Sequence, residues 1–305
     1  MYICQKLPAM QLLIYLIVYP LLWLISMMPF PMLYAFSDFV YVLVYHVFGY
    51  RKKVVRDNLA LTLPHLSEKE RLVIEKKFFH HMCDIFLEMI KTMTISRKEI
   101  DKRYVFTNLD LYTDLEKKGK SIALMCGHYA SYEWLVSMNH HITFEGFGIY
   151  KKLENPHFDK LVKSIRNRFK ATLINTKETI PTIKKNALSG HLGVYGFASD
   201  QSPIISSAFH WNTFMGIPVP VHTGAEMLAK RFDMNVIFLR AKKVKRGYYE
   251  ATFEILSTDA KSVPNYEITD EFLKRVEEQI YEAPEFYLWT HKRWKHRKKA
   301  ELKML

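Results

Sequence analysis

The sequence predicts a single α/β domain, with a mixed, largely parallel sheet flanked by helices, behind an N-terminal hydrophobic membrane helix. Three observations predict it. From Ser121 onward, short apolar runs alternate with amphipathic segments at the spacing of β-α-β units. Before them, one long stretch from Ser67 to about Met93 repeats apolar residues at three- and four-residue intervals. At the start of the chain, no charged residue occurs between Lys6 and Asp38.

Residues 12–28 form an apolar run long enough to cross or sink into a bilayer that needs about 20 such residues. Pro29-Phe30-Pro31 breaks it, and a second apolar stretch, Phe39 to Phe48, follows. Tyr and Trp recur in both, as they do where rings meet a headgroup layer. Arg51, Lys52, Lys53 and Arg56 come next, and the positive-inside bias then puts the remaining chain on the cytoplasmic face. A cleaved signal peptide fits poorly: Lys6 alone supplies a basic start, and no small-x-small site follows. A buried core hairpin is the competing reading. The expected division is a membrane-anchoring segment, 1–49, and a globular domain, 50–305.

Ser67 and Glu70 have the spacing of a capping box, which starts the long helix. Strands are predicted at Ile122–Cys126, Phe144–Tyr150, Leu173–Asn175, Leu192–Ala198, Asn235–Arg240 and Tyr248–Leu256. Helices are predicted at Tyr132–Asn139, Asn155–Phe169, Ile180–Leu188, Gly224–Arg231 and Asp270–Glu282. The turn-like Lys245-Arg246-Gly247 makes the last two strands an antiparallel pair.

An apolar fraction of 49% supports a real core, and 44 basic against 31 acidic residues give a net charge of +13. Such a charge favours an anionic partner: a phosphorylated lipid, an anionic membrane surface, an acidic protein or nucleic acid. Nucleic acid is set aside, because no recognition motif accompanies the charge and an apolar anchor serves no duplex reader. Three widely spaced cysteines, Cys4, Cys83 and Cys126, argue against a disulfide framework. No C-x-x-C occurs, and the pairs His80-His81 and His140-His141 are adjacent rather than spaced along one helical face. Neither a metal nor a cofactor is expected.

Sites in open α/β sheets form at the carboxyl ends of strands. His128 follows the first predicted strand, and Glu133 lies five residues on. On a continuous helix those side chains would diverge by about 140°. With His128 in the turn and Glu133 on the first helical turns they can meet, and the carboxylate would fix the imidazole tautomer and free Nε2 to take a proton. The bare spacing commonly joins a core His to a surface Glu; the strand-turn-helix setting is what singles it out. Arg166 and Arg168, singly ordinary helix charges, and Asp200-Gln201, singly a turn, fall near the same sheet edge. Cys126 invites a Cys–His reading, but it ends an apolar strand and points to the core.

Five segments together resemble the bacterial lipid A late acyltransferases, within the lysophospholipid acyltransferase superfamily. They are Tyr50–Leu59, with its arginine and Asn58-Leu59; Gly127-His128 with Glu133-Trp134; Arg166 or Arg168; Phe197–Gln201; and Phe286–Lys295, with its Trp-Thr-His-Lys-Arg core. Two segments depart from the family pattern: Phe214–Gly224, and Tyr-Ala-Ser-Tyr between His128 and Glu133. The resemblance implies a glycerol-3-phosphate acyltransferase-like fold. It also implies acyl transfer from an acyl carrier protein thioester to a hydroxyl of a phosphorylated glycolipid, a lipid A precursor, at the cytoplasmic face of the bacterial inner membrane. His128 would be the general base, Glu133 its orienting acid, and Arg166, Arg168, Asp200 and Gln201 substrate-binding residues. The rivals are a same-fold acyltransferase for another glycolipid, aminolipid or lysophospholipid, and a non-catalytic basic membrane-surface protein.

Overall fold

The computed structural model describes residues 8–304; Cys4 and Lys6 lie outside them. Helix α1 (Pro8–Met27) leads into α2 (Phe30–Tyr41), which continues as a π-helical stretch, Val42–Val47. Then come α3 (Lys52–Thr62), α4 (Glu68–Lys91), α5 (Arg97–Arg103), β1 (Tyr104–Phe106) and α6 (Leu109–Lys117). The alternating part follows: β2 (Ile122–Cys126), a 3-10 stretch Trp134–His140, β3 (Glu145–Tyr150), α7 (Pro156–Asn167), β4 (Ala171–Asn175), α8 (Thr179–Leu188) and β5 (Gly193–Ala198). A ribbon of β6 (His210–Phe214) and β7 (Ile217–Val221) precedes α9 (Gly224–Phe232), β8 (Asn235–Lys245), β9 (Tyr248–Ser257), α10 (Glu267–Glu282) and α11 (Arg297–Met304).

Seven strands form one sheet in the order β1-β9-β8-β2-β5-β3-β4. Only β8 and β9 pair antiparallel, as their tight turn dictates. All five residues of β2 are buried, which is what a central parallel strand covered on both faces requires. Along β5 the residues alternate: Tyr195 and Phe197 face one way, Val194, Gly196 and Ala198 the other. Tyr195 stacks on Phe147 at 4.9 Å and fills one face. On the opposite face a row runs across four strands, Leu124–Gly196–Gly148–Leu173. Two glycines in the middle of that row leave an open trough over the sheet.

The capping box at Ser67 and Glu70 forms as expected. The helix predicted at Tyr132–Asn139 does not: after β2 the chain turns through Ala130 at φ 48°, and regular structure resumes only as the 3-10 stretch. Trp134 is fully buried there, its Nε1–H donating to the Glu88 carbonyl, and this tie holds the segment against α4. The β6–β7 ribbon is an addition to the predicted strands; it carries Pro218 and Pro220, which a two-stranded ribbon tolerates because every strand is an edge.

The apolar N-terminal segment is packed along the body. Near the start of α1, the Gln11 carbonyl accepts from Asn155, and the Tyr15 ring packs on His157 and Phe158 of α7. At its other end, Lys91 of α4 donates to the carbonyls of Ser26 and Met28 at 2.7 and 2.8 Å. Helix α2 is joined to α4 by Ser37–Asp84 and Tyr34–Glu88 hydrogen bonds, each 2.8 Å, while Arg246 reaches both Asp38 and Asp84. One face of α1 stays uncovered, with Leu13, Leu16, Ile17, Leu21 and Leu24 each more than half exposed.

Candidate active site

Strands β2 and β5 are adjacent, parallel and in register, with Cys126 opposite Ala198. His128 and Asp200 each lie two residues beyond that pair. Neighbouring strands are about 4.8 Å apart, so the two side chains emerge side by side at the carboxyl edge of the sheet. His128 Nδ1 donates to Asp200 Oδ1 at 2.7 Å. Asp200 is fully buried, and the His128 side chain is one-fifth exposed. Burial pulls the His128 pKa down, but the charge and hydrogen bond of Asp200, with the charge of Glu133, outweigh it and leave the pKa raised. Burial pushes the Asp200 carboxyl up, and the His128 charge and hydrogen bond more than reverse this, leaving it lowered. The pair is therefore a base whose tautomer is set, with Nε2 left as the acceptor.

Glu133, expected to orient the imidazole, makes its direct contacts elsewhere. Its carboxylate is ion-paired with Arg166, which also donates to the Glu133 backbone carbonyl at 3.1 Å. The reason is the irregular turn after β2, which carries Glu133 past the imidazole instead of placing it on a first helical turn. Arg166 and Glu133 share the wall of one cavity with His128. Arg168 is used elsewhere: it donates to the carbonyls of Thr92 and Ile95, just beyond the C-terminal end of α4, at 2.6 and 3.0 Å. Gln201 follows Asp200 in a half-exposed loop.

That cavity measures about 360 Å³ and is mostly apolar. Its floor is the trough of Gly196 and Gly148, and Leu135, Val136 and Val162 close its sides. On the other side of His128 a narrow apolar slot runs between α4 and the C-terminal segment, lined by Phe78, Met82, Phe86 and Phe286. Tyr132, His128 and Glu133 border both spaces. Burial, then the charges of Glu133 and Asp200, drive the Tyr132 pKa up, so its hydroxyl stays a donor beside the base. Cys126 lines the cavity, but burial, then the Asp200 charge, pushes its thiol up to about 12, so no thiolate forms at neutral pH.

The C-terminal segment fixes the site from behind. Ala130 N–H donates to the Phe286 carbonyl and Leu288 N–H to the His128 carbonyl, so the His128 turn is paired to residues 286–288 like a short strand. Asn58 of α3 donates to the carbonyls of Trp289 and His291 at 2.8 and 2.9 Å, and Arg51 donates to that of Thr290. Beyond Asp200, Ser202 Oγ donates to the Arg293 carbonyl at 2.6 Å, and the buried Arg293 guanidinium donates to the Pro220 carbonyl. Burial pulls the His291 pKa down to about 4, so its neutral ring can accept from the Ser202 N–H.

A buried His–Asp pair between two apolar spaces suits an enzyme that activates a hydroxyl beside a hydrocarbon chain. The comparisons agree in class. The family described as bacterial lipid A biosynthesis acyltransferase matches residues 3–296, and the chain belongs to that family. It is an acyltransferase of lipid A biosynthesis. It is 24% identical over 277 residues to the lipid A biosynthesis lauroyltransferase of Escherichia coli K12, covering 90% of this chain and 89% of that one. It is 22% identical over 285 residues to a lipid A biosynthesis acyltransferase of Haemophilus influenzae, covering 92% and 87%.

Proposed function

We propose that the protein moves a fatty acyl chain from an acyl carrier protein thioester to a hydroxyl of a phosphorylated lipid A precursor, at the cytoplasmic face of the inner membrane. The observation that carries the reading is the 2.7 Å His128–Asp200 contact, made by a histidine that lines two apolar spaces at once and keeps Nε2 free of it. The acceptor hydroxyl gives its proton to Nε2 as its oxygen attacks the thioester carbonyl, a step worth about 10²–10⁴-fold. Asp200 stabilises the imidazolium that forms. Arg166, held by Glu133, and the Tyr132 hydroxyl are the donors available to the oxyanion. The tetrahedral intermediate collapses, the C–S bond breaks, and the departing thiolate takes the proton back from His128. No acyl-enzyme is needed, in keeping with a thiol held neutral at Cys126.

The 360 Å³ cavity suits the donor's hydrocarbon chain, and Gln201, next to Asp200, is left for the acceptor. Residues 1–49 serve as the membrane-anchoring segment and 50–305 as the acyltransferase domain. The uncovered apolar face of α1, with both ends of that helix tied to the body, supports a helix lying in the membrane surface rather than crossing it. The test is acyl transfer by purified full-length protein. His128→Ala should fold, stay membrane-bound and lose transfer; near wild-type turnover in that variant would refute the mechanism.

A further inference from the structure

The apolar slot beside His128 adjoins a cavity of opposite character. His81 and Phe286 belong to the walls of both. The second cavity measures about 460 Å³ and carries Lys76 and Lys77 from α4 with Lys243 and Lys245 from β8. Glu285 is the acidic residue in its wall, 3.5 Å from Lys77. Asp84 lies beneath, 3.6 Å from Lys243, but is already shared with Arg246 and Ser37. His80, also in the wall, is paired with Asp38 at 2.7 Å. Lys76 forms no ion pair among the described residues, and Lys245 rests on the Tyr248 ring. The bowl is thus strongly positive, with at least two lysines uncommitted.

His81 supplies an independent observation. It is 3% exposed, and its Nδ1 accepts from the Lys243 ammonium at 3.0 Å. An ammonium only donates, so the ring proton sits on Nε2. That Nε2–H is buried and has no hydrogen-bond partner. Native proteins rarely leave such a donor unpaired, and the slot-to-bowl junction is where a ligand oxygen would meet it. Position agrees: Tyr41, at the end of α2, stands on the rim, so the bowl opens beside the N-terminal apolar helices.

We propose that the Lys76/Lys77/Lys243/Lys245 bowl seats the phosphate-bearing head of the acceptor lipid. The slot measures about 30 Å³ as it stands, so Phe286 and its neighbours move apart to admit a hydrocarbon part of that lipid and bring its hydroxyl to His128, while His81 Nε2–H donates to an oxygen where head meets chain. The proposal rests on the reading of the site as a transferase for a phosphorylated lipid. It adds where the phosphate sits.

The test uses full-length protein in neutral detergent micelles doped with a phosphorylated lipid A precursor or with the same lipid after phosphatase treatment. The variant is Lys76→Glu/Lys245→Glu, at exposed positions. Lys184→Glu/Lys185→Glu on α8 makes the same change in net charge away from the bowl. Equilibrium binding and transfer kinetics are both measured. Wild type should prefer the phosphorylated lipid; the bowl variant should lose that preference, with acceptor KM rising about tenfold or more, and the α8 variant should keep it. An unchanged preference in the bowl variant overturns the proposal. A rise in KM for the carrier-protein thioester alone overturns it too, because the bowl would then serve the acidic donor. If wild type shows no transfer but binds the phosphorylated lipid preferentially through the bowl, the site stands and the proposed reaction fails.

Discussion

Asp200→Asn separates the two carboxylates that compete for the role of orienting acid. The amide keeps the volume of a side chain that is fully buried, so the fold should persist. What is lost is a charge-assisted hydrogen bond of 2.7 Å to the imidazole. Such bonds contribute about 1.5–3 kcal/mol, or roughly 10–10²-fold in rate if the whole effect is felt in the transition state. A second loss follows, because an amide NH₂ can donate to Nδ1 and force the ring proton onto Nε2, where the base is needed. Together these bring the expected fall in kcat to about 10²–10⁴-fold. The pH profile should move as well. In wild type the Asp200 charge and hydrogen bond, with Glu133, raise the His128 pKa against the effect of burial. With the amide, burial and Glu133 remain, so the pKa falls and the acid limb of activity shifts to lower pH. Stability follows the same sign. A raised histidine pKa contributes stability below its ordinary 6.5, and this is lost as pH rises through the folded value. The wild-type advantage in Tm should therefore shrink as pH rises through that window. Glu133→Gln removes the Arg166 ion pair and the smaller charge effect of Glu133 on His128, and should cost roughly tenfold, with the acid limb moving less. Steady-state rates across pH on both variants decide. Near wild-type kcat and an unmoved limb in Asp200→Asn, with most activity lost in Glu133→Gln, would refute the assignment.

Four further outcomes are expected. Gly196→Leu should shift donor preference to shorter chains, because a Cβ there meets only the Phe147 carbonyl oxygen, at 3.7 Å, and the side chain would grow into the cavity; each methylene excluded from the trough forfeits about 0.8 kcal/mol. Arg168→Ala should lower Tm by uncapping the Thr92 and Ile95 carbonyls while sparing KM, whereas Arg166→Ala should act on kinetics with little change in melting. Leu16→Glu/Leu21→Glu/Leu24→Glu on the exposed face of α1 should leave Tm unchanged but make vesicle binding salt-sensitive, since three inserted leucines contribute about 5–9 kcal/mol and resist salt while surface lysines, at about 1 kcal/mol each, do not. Asn58→Asp should lower Tm more than Asn58→Ala, because it sets a charge against two carbonyls where the alanine only leaves them unpaired, a loss of about 1–3 kcal/mol.

Much of the sheet was legible because its strands are short apolar or alternating runs set between helices apolar on one face. The six predicted strands and the antiparallel pairing of the last two recur in the structure within a few residues. The His–Asp contact was harder to read. Its signal was present: His128 follows Cys126, and Asp200 follows Ala198, by the same two residues. That equality becomes a contact only if the two strands are neighbours in register, and strand order is a tertiary fact. Local spacing pointed to Glu133 instead, since sequence reasoning assumes that helix follows turn. The φ of 48° at Ala130 and the buried Trp134 break that assumption. The basic bowl was also hidden, because Lys76 and Lys77 lie more than 160 residues from Lys243 and Lys245.

Two parallel strand ends fix only the backbone spacing of His128 and Asp200; the side-chain geometry needs support beyond the sheet. The closing Phe286–Lys295 segment gives it twice. Residues 286–288 pair with the His128 turn, and Arg293, through Ser202, holds the loop after Asp200. The opening segment, through Arg51 and Asn58, in turn holds residues 289–291. Three motifs distant in sequence thus form one brace around the catalytic pair. This accounts for an arginine, an asparagine and a tryptophan-rich run recurring with the catalytic histidine in the resemblance, although none of them need touch substrate. It also separates two demands on the site. The brace holds the His128–Asp200 pair rigid, and under the proposed function the Gly196–Gly148 trough and the lysine bowl, built from other residues, are free to suit the chain and the head of the lipid.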